Sequence, residues 1–185
     1  QVDVGGSAND LYIDARLELR SAKSSGRLEK AIVSAYGTEG SESLLLRIDA
    51  FLNAKSSPAI SWATFADPGI RGAYIQETNQ ILISADLRNT GERLQSVVIE
   101  EIGHWLDQSD YKDSPGDEGE RFAAMLLSGQ RALELGRSTA TLLVNGLVVT
   151  AELSTENLEP VKTAGSISNL TVLEDSGLTS LALSG

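Results

Sequence analysis

Residues 97–107 read VVIEEIGHWLD and include His104, the only histidine among the 185 residues of the chain. On a helix with 3.6 residues per turn, the apolar residues of this stretch and its upstream neighbour form one stripe. These residues are Leu94, Val98, Ile102 and Trp105. Glu100, His104 and Asp107, at spacings of four and three, line a second face. Glu101 lies at the border, so the pattern predicts an amphipathic helix, over about residues 92–108, with an imidazole among carboxylates.

This spacing is close to the H-E-x-x-H pattern, in which residues one turn apart hold a metal and the Glu after the first ligand acts as a base. Here Glu100 occupies the place of the first His, His104 is the second ligand, and Glu101 is the base. Asp107 is predicted as a fourth ligand, as an acceptor that orients His104, or as a solvent-facing residue. The alternative for the whole group is structural: the histidine caps the helix C-terminus as a cation and the acids form a solvated face.

Composition restricts the class of protein. The chain is 41% hydrophobic and 22% charged, which predicts a globular protein with a packed core. Its net charge of -11 argues against a nucleic-acid or anionic-membrane partner, because both are negatively charged. It has no cysteine, which excludes disulfides and thiolate metal sites, and no apolar run approaches the roughly 18 residues of a membrane span.

Periodicity and turn residues predict an α+β domain over residues 1–153, mainly helical, with a small antiparallel sheet made of hairpins. Predicted helices cover about 11–23, 27–36, 43–54, 92–108 and 115–135. Predicted strands cover 60–65, 72–75 and 80–84. Asn145-Gly146 between two β-branched runs predicts a C-terminal hairpin over 139–153.

The C-terminal part of the sequence changes character. Residues 154–165 are predicted to be a linker, and residues 166–185 are rich in Ser and Leu. The stretch LEDSGLTSLALSG resembles the opening strands of cadherin-like tandem repeats in very large bacterial surface and secreted proteins. Half a repeat cannot bury its own sheet, so we expect it to be mobile or docked on its neighbour. Because the chain starts at Gln1 without a signal peptide, we expect it to be part of a longer protein.

Three stretches of the central region, residues 60–135, resemble a zincin-like metallopeptidase domain. They read GAYIQETNQILIS, VIEEIGHWLD and PGDEGERFA. The resemblance implies a zincin-like fold with the active-site helix at 92–108 and a third metal ligand from the helix that follows. It also implies a substrate-binding edge strand near 80–84, with the contacts made by Gln80, Ile81, Leu82 and Ile83.

The third ligand implied by the resemblance is Glu118, with Asp117, Glu120 and the helix-face residue Asp107 as rivals. The implied metal is zinc, which accepts imidazole nitrogen and carboxylate oxygen. Because a carboxylate replaces the first His, the metal is held by more oxygen, which also suits Mn²⁺ or Ca²⁺. Arg121 is predicted to pair with Asp117 or Glu118 as a helix salt bridge.

The expected function is a metal-dependent endopeptidase, extracellular or at the bacterial cell surface. Its partner would be a polypeptide, either a surface protein or its own parent chain. Tyr74 or Tyr111 is either an oxyanion donor or a buried structural residue. The alternative is a catalytically inactive module of an adhesin that binds calcium or serves as a spacer.

Overall fold

The computed structural model describes residues 8, 10–107, 117–129, 139–144, 147–155, 170–174 and 177–181, with backbone alone from 155 onward. The helices within these residues are α1 (Asp10–Ser24), α2 (Arg27–Tyr36), α3 (Ser41–Leu52), α4 (Glu92–Leu106) and α5 (Glu118–Ser128), with a short 3₁₀ turn at Ala85–Leu87. The strands are β1 (Ala59–Phe65), β2 (Ile70–Ile75), β3 (Gln80–Ser84), β4 (Thr139–Val144), β5 (Leu147–Thr155), β6 (Leu170–Glu174) and β7 (Gly177–Leu181). None of the described helices is long and apolar enough to cross a bilayer.

The chain is mixed α and β, as expected, but its sheet is mixed rather than antiparallel. The order β4-β5-β2-β3-β1 is extended by the β6-β7 hairpin at the edge of β1. β3 pairs antiparallel with β2 and parallel with β1. β2 follows β1 in the chain but lies two positions away from it in the sheet. β3, the second strand of the β2-β3 hairpin, lies between them. Local alternation predicts that a segment is a strand but not which neighbour it meets, so the prediction of an antiparallel sheet was wrong here.

The prediction that β3 is a substrate-binding edge strand is also wrong. Ile81 pairs with Ile60 of β1 on one side and with Tyr74 of β2 on the other. Ile81, Leu82 and Ile83 are fully buried, and Gln80 is partly buried at the strand's start. Both hydrogen-bonding edges are therefore used within the protein, and no peptide can add to this strand. The uncharged run ILI is typical of a central strand, since edge strands are usually protected by charge.

The sheet separates two apolar clusters. On one face the helices pack against Trp62, Tyr74, Ile81 and Ile83, and this cluster includes Phe51, Ile99 and Phe122. The opposite face carries the smaller cluster, which contains Ala63, Ile75, Leu82, Leu142 and Leu153. Alternate residues of each strand belong to different clusters, as the period of two requires.

Helix α4 lies across the helix-covered face of the sheet and confirms the predicted amphipathic helix. Val98, Ile102 and Trp105 of the predicted stripe are buried, and Leu94 is partly buried against the same cluster. The helix begins after Gly91, and no side chain caps its first turn. Thr90, just before Gly91, donates its hydroxyl to the carbonyl of Leu87.

The C-terminal segment continues the sheet. β5 reaches Thr155, two residues into the predicted linker, and β6 pairs antiparallel with β1. The segment predicted to begin a further repeat thus forms a hairpin docked on the preceding domain along the described backbone. The remainder of the predicted linker, the loop 109–116 and the end of the fifth predicted helix lie outside the described residues.

Candidate metal centre

One imidazole and two carboxylates meet between α4 and the start of α5. Glu100, His104 and Asp117 each offer one ligand atom, and these atoms lie within 4.8 Å of one another. Glu100 and His104 are one turn apart on α4, as the sequence predicted. The third member comes from the next helix, also as expected, but it is the rival Asp117 rather than Glu118.

Two glycines allow the helices to approach closely enough for this meeting. A Cβ placed on Gly103 of α4 would lie 2.8 Å from the Cα of Gly119 on α5. A Cβ on Gly119 would lie 2.7 Å from His104 Nε2 and 2.7 Å from the carbonyl oxygen of Glu100. Any larger residue at either position would separate the helices, so both glycines are needed for the close approach of α4 and α5.

Asp117 is placed by its role as the N-cap of α5. Its Oδ1 accepts a hydrogen bond from the backbone N–H of Glu120 at 2.8 Å, which fixes the carboxylate over the helix N-terminus. The same oxygen lies 3.5 Å from His104 Nε2. Two ligands at 2.0–2.2 Å from a tetrahedral zinc are about 3.4 Å apart. The spacing of these two atoms is therefore that of two ligands of one metal ion.

The other predicted third ligands are not members of this cluster. Glu118 is buried, and its Oε1 accepts a hydrogen bond from Arg121 Nη2 at 3.1 Å, which confirms the predicted salt bridge. Glu120 is partly buried, and burial raises the pKa of its carboxyl to about 7. Asp107 is the C-cap of α4. The structure thus places Asp117 rather than Glu118 beside Glu100 and His104, since the N-cap residue and the first helical residue direct their side chains differently.

Glu101, the predicted base, is fully buried between α4 and the sheet. Its Oε1 accepts a hydrogen bond from the Ser154 hydroxyl at 2.6 Å, while Oε2 has no hydrogen-bond partner among the described residues. A Cβ on Gly72 of β2 would lie 2.4 Å from Oε1, so the glycine makes room for the carboxyl. Burial is the largest cause that raises the pKa of Glu101 to about 8.

His104 lies between acids on both sides of its ring. Its Nδ1 is 2.5 Å from Glu152 Oε2, an ion-pair distance with the oxygen off the N–H direction. Its Nε2 has no hydrogen-bond partner within the described part of the chain. Burial lowers the pKa of the imidazole, but the contact with Glu152 and the charges of Asp117 and Glu101 outweigh it and raise the pKa to about 10.

The cluster concentrates negative charge in a region of low dielectric constant. Burial, together with the charges of Asp117 and Glu101, raises the pKa of Glu100 well above its usual range. A nearby cation lowers the pKa of such carboxyls and stabilises their ionised form. A divalent ion between Glu100, His104 and Asp117 would supply that cation and a partner for the buried Nε2.

Sequence reasoning missed Glu152 and Ser154. Both lie on β5, opposite Tyr74 and Gly72 of β2, and so face α4. The available signal was a charged residue inside an otherwise apolar alternating strand. Its contact with a helix residue 48 positions earlier follows only from the strand order. Tyr111 lies outside the described residues.

Comparisons with protein-family models, with curated proteins and with solved structures returned no match for this chain. The interpretation of the centre therefore rests on its own geometry.

Proposed function

We propose that this chain is a metal-dependent hydrolase domain of the zincin type that cleaves peptide bonds. The metal would be held by Glu100, His104 and Asp117. The observation that carries the proposal is a pair of buried polar atoms without hydrogen-bond partners within the described residues, His104 Nε2 and Glu101 Oε2. His104 is a member of the ligand cluster, and Glu101 is the neighbour of Glu100 on α4. Buried polar groups are rarely left unsatisfied.

Each residue has a separate task in this proposal. A bound divalent ion would polarise the substrate carbonyl and acidify a water molecule. Glu101 accepts the proton of that water. Ser154 holds Oε1, which leaves Oε2 as the atom that takes the proton. In the metal-free protein burial keeps this carboxyl protonated at neutral pH, and a bound cation would lower its pKa so that it could act as the base. Glu152 contacts Nδ1 and thereby orients the ring so that Nε2 faces the metal.

Zinc is the proposed metal, and the ligand set affects its reactivity. Two carboxylates and one imidazole leave the ion nearly neutral, which makes it a weaker Lewis acid than one held by two imidazoles and a carboxylate. The oxygen-rich set also accommodates Mn²⁺ or Ca²⁺. A polypeptide partner and an extracellular location complete the proposal, and both rest on the resemblance of the sequence to zincin-like domains of surface proteins.

The test is hydrolysis of a mixed peptide library by the zinc-loaded chain. Glu101→Gln should bind zinc as the parent does but lose at least 100-fold in cleavage rate, since general-base catalysis contributes about 10²–10⁴-fold. Glu92→Gln, an exposed acid in the first turn of the same helix, is the matched control and should cleave normally. Equal cleavage by the Glu101→Gln chain would contradict the proposal.

One observation favours a second candidate, a metal-binding module without catalysis. Glu101 is fully buried and packed beneath Gly72, where a substrate needs a path to reach it. This candidate predicts that zinc or calcium stabilises the chain against unfolding and that no peptide is cleaved with any divalent ion.

A further inference from the structure

A cavity of about 250 Å³ lies on the Nδ1 side of His104, across the imidazole from the ligand cluster. Its acidic lining residues are Glu77, Asp107 and Glu152. Among the described residues that line it there is no Lys or Arg, and the remaining ones are polar or small. A cleft lined by charges of one sign focuses its field on the opposite charge, so the occupant it favours is a cation.

Tyr74 provides a second and independent indication of a ligand. Its side chain is 3% exposed and lines the cavity, yet its hydroxyl has no hydrogen-bond partner within the described residues. Burial is the largest cause that raises the pKa of the Tyr74 hydroxyl; the charge of Arg47 lowers it and those of Glu152 and Glu77 raise it, so the group stays neutral. A neutral hydroxyl can accept a hydrogen bond from a cationic N–H.

We propose that this cavity binds the basic side chain, Arg or Lys, of a polypeptide. The role of the cavity as a subsite that selects the substrate rests on the proposed peptidase function. Its ability to bind a guanidinium or ammonium group does not. The volume is below the roughly 300–1,000 Å³ of sites for whole small molecules, which matches one side chain. The shared imidazole places a residue bound here directly beside the proposed metal.

The experiment compares two peptides of equal size, Ala-Ala-Arg-Ala-Ala and the same peptide with citrulline, which replaces the charged guanidinium by a neutral urea. Titration calorimetry with the full chain should show at least tenfold tighter binding of the arginine peptide. Tyr74→Phe and Glu77→Gln should each weaken binding of that peptide at least threefold. The amide oxygen of the Glu77→Gln variant can still accept the hydrogen bond from Thr150 N–H, so its effect isolates the charge. Asp86→Asn, an exposed acid away from the cavity, is the control and should bind as the parent does.

The peptide comparison needs no variant, so a misfolded variant cannot decide the outcome. Equal affinity for the two peptides, or binding of neither, overturns the proposed cavity ligand. Zinc-dependent cleavage without preference for Arg or Lys would overturn the subsite while leaving the peptidase function in place. Selective binding of the arginine peptide without any cleavage would confirm the cation site and contradict the peptidase function.

Discussion

Replacing Glu101 by Gln should stabilise the metal-free protein at neutral pH. The carboxyl is fully buried, and burial raises its pKa from 4.5 to about 8. Between these values the native state keeps a proton that the unfolded state releases, so the free energy of unfolding falls as pH rises. At pH 7, about 2.5 units above 4.5, and at about 1.4 kcal/mol per unit, the cost is about 3 kcal/mol.

Glutamine removes this cost because it does not ionise, and it keeps an oxygen that can accept the hydrogen bond from Ser154. We therefore expect the Glu101→Gln protein to be more stable than the parent by about 3 kcal/mol at pH 7. At pH 4.5, where the native carboxyl is protonated and half of the unfolded carboxyls are, the difference should fall to about 0.4 kcal/mol, and it should vanish at lower pH.

The assay is urea unfolding of both proteins after removal of metal with EDTA, at pH 4.5 and at pH 7. The difference in unfolding free energy at each pH is the measured quantity. A variant that is less stable than the parent at pH 7 would refute the account of Glu101 as a desolvated acid. So would a variant whose unfolding free energy differs from that of the parent by the same amount at both pH values.

Three further substitutions test the rest of the centre. Gly119→Ala places a methyl group 2.7 Å from His104 Nε2, so it should cost about 1–3 kcal/mol in thermal or urea unfolding and lower zinc affinity at least tenfold in a chelator competition. Ser154→Ala removes the donor to Glu101 and should raise the pKa of that carboxyl further, which carboxyl ¹³C NMR titration measures. Glu118→Gln should leave zinc affinity unchanged, since this side chain pairs with Arg121 outside the cluster. A tenfold loss of zinc affinity would instead indicate that Glu118 is a ligand.

The sequence pattern correctly predicted which residues share a face of the α4 helix. The stripe of Val98, Ile102 and Trp105 predicted the buried face of α4, and the spacing of Glu100 and His104 predicted that they share another face. These inferences succeed because 3.6 residues per turn relates sequence spacing directly to direction.

The choice of third ligand failed because it depends on where α5 begins. The sequence places several acids in its first turn, and the cap position decides which of them turns toward His104. Asp117 is that cap, with an extended backbone at φ −90° and ψ 99°, while Glu118 is the first helical residue. Sequence patterns place a helix end only to within a few residues, and here one residue separates a member of the cluster from a salt-bridge partner.

The local signals in the sheet, the uncharged run of β3 and the charge within β5, do not show which strands are neighbours. The burial of β3 on both edges and the contact of Glu152 with His104 follow from the order β5-β2-β3-β1. That order is set by pairing between segments far apart in the chain, which strand periodicity does not encode. The residues that support the site from the sheet were therefore found only in three dimensions.

The most direct test of the central claim, that Glu100, His104 and Asp117 hold one metal ion, is the zinc content of the chain after loading and exhaustive dialysis. We expect one zinc per chain, and loss of that zinc in both His104→Ala and Asp117→Asn. A parent chain that retains no metal, or a His104→Ala chain that retains as much as the parent, would contradict the claim.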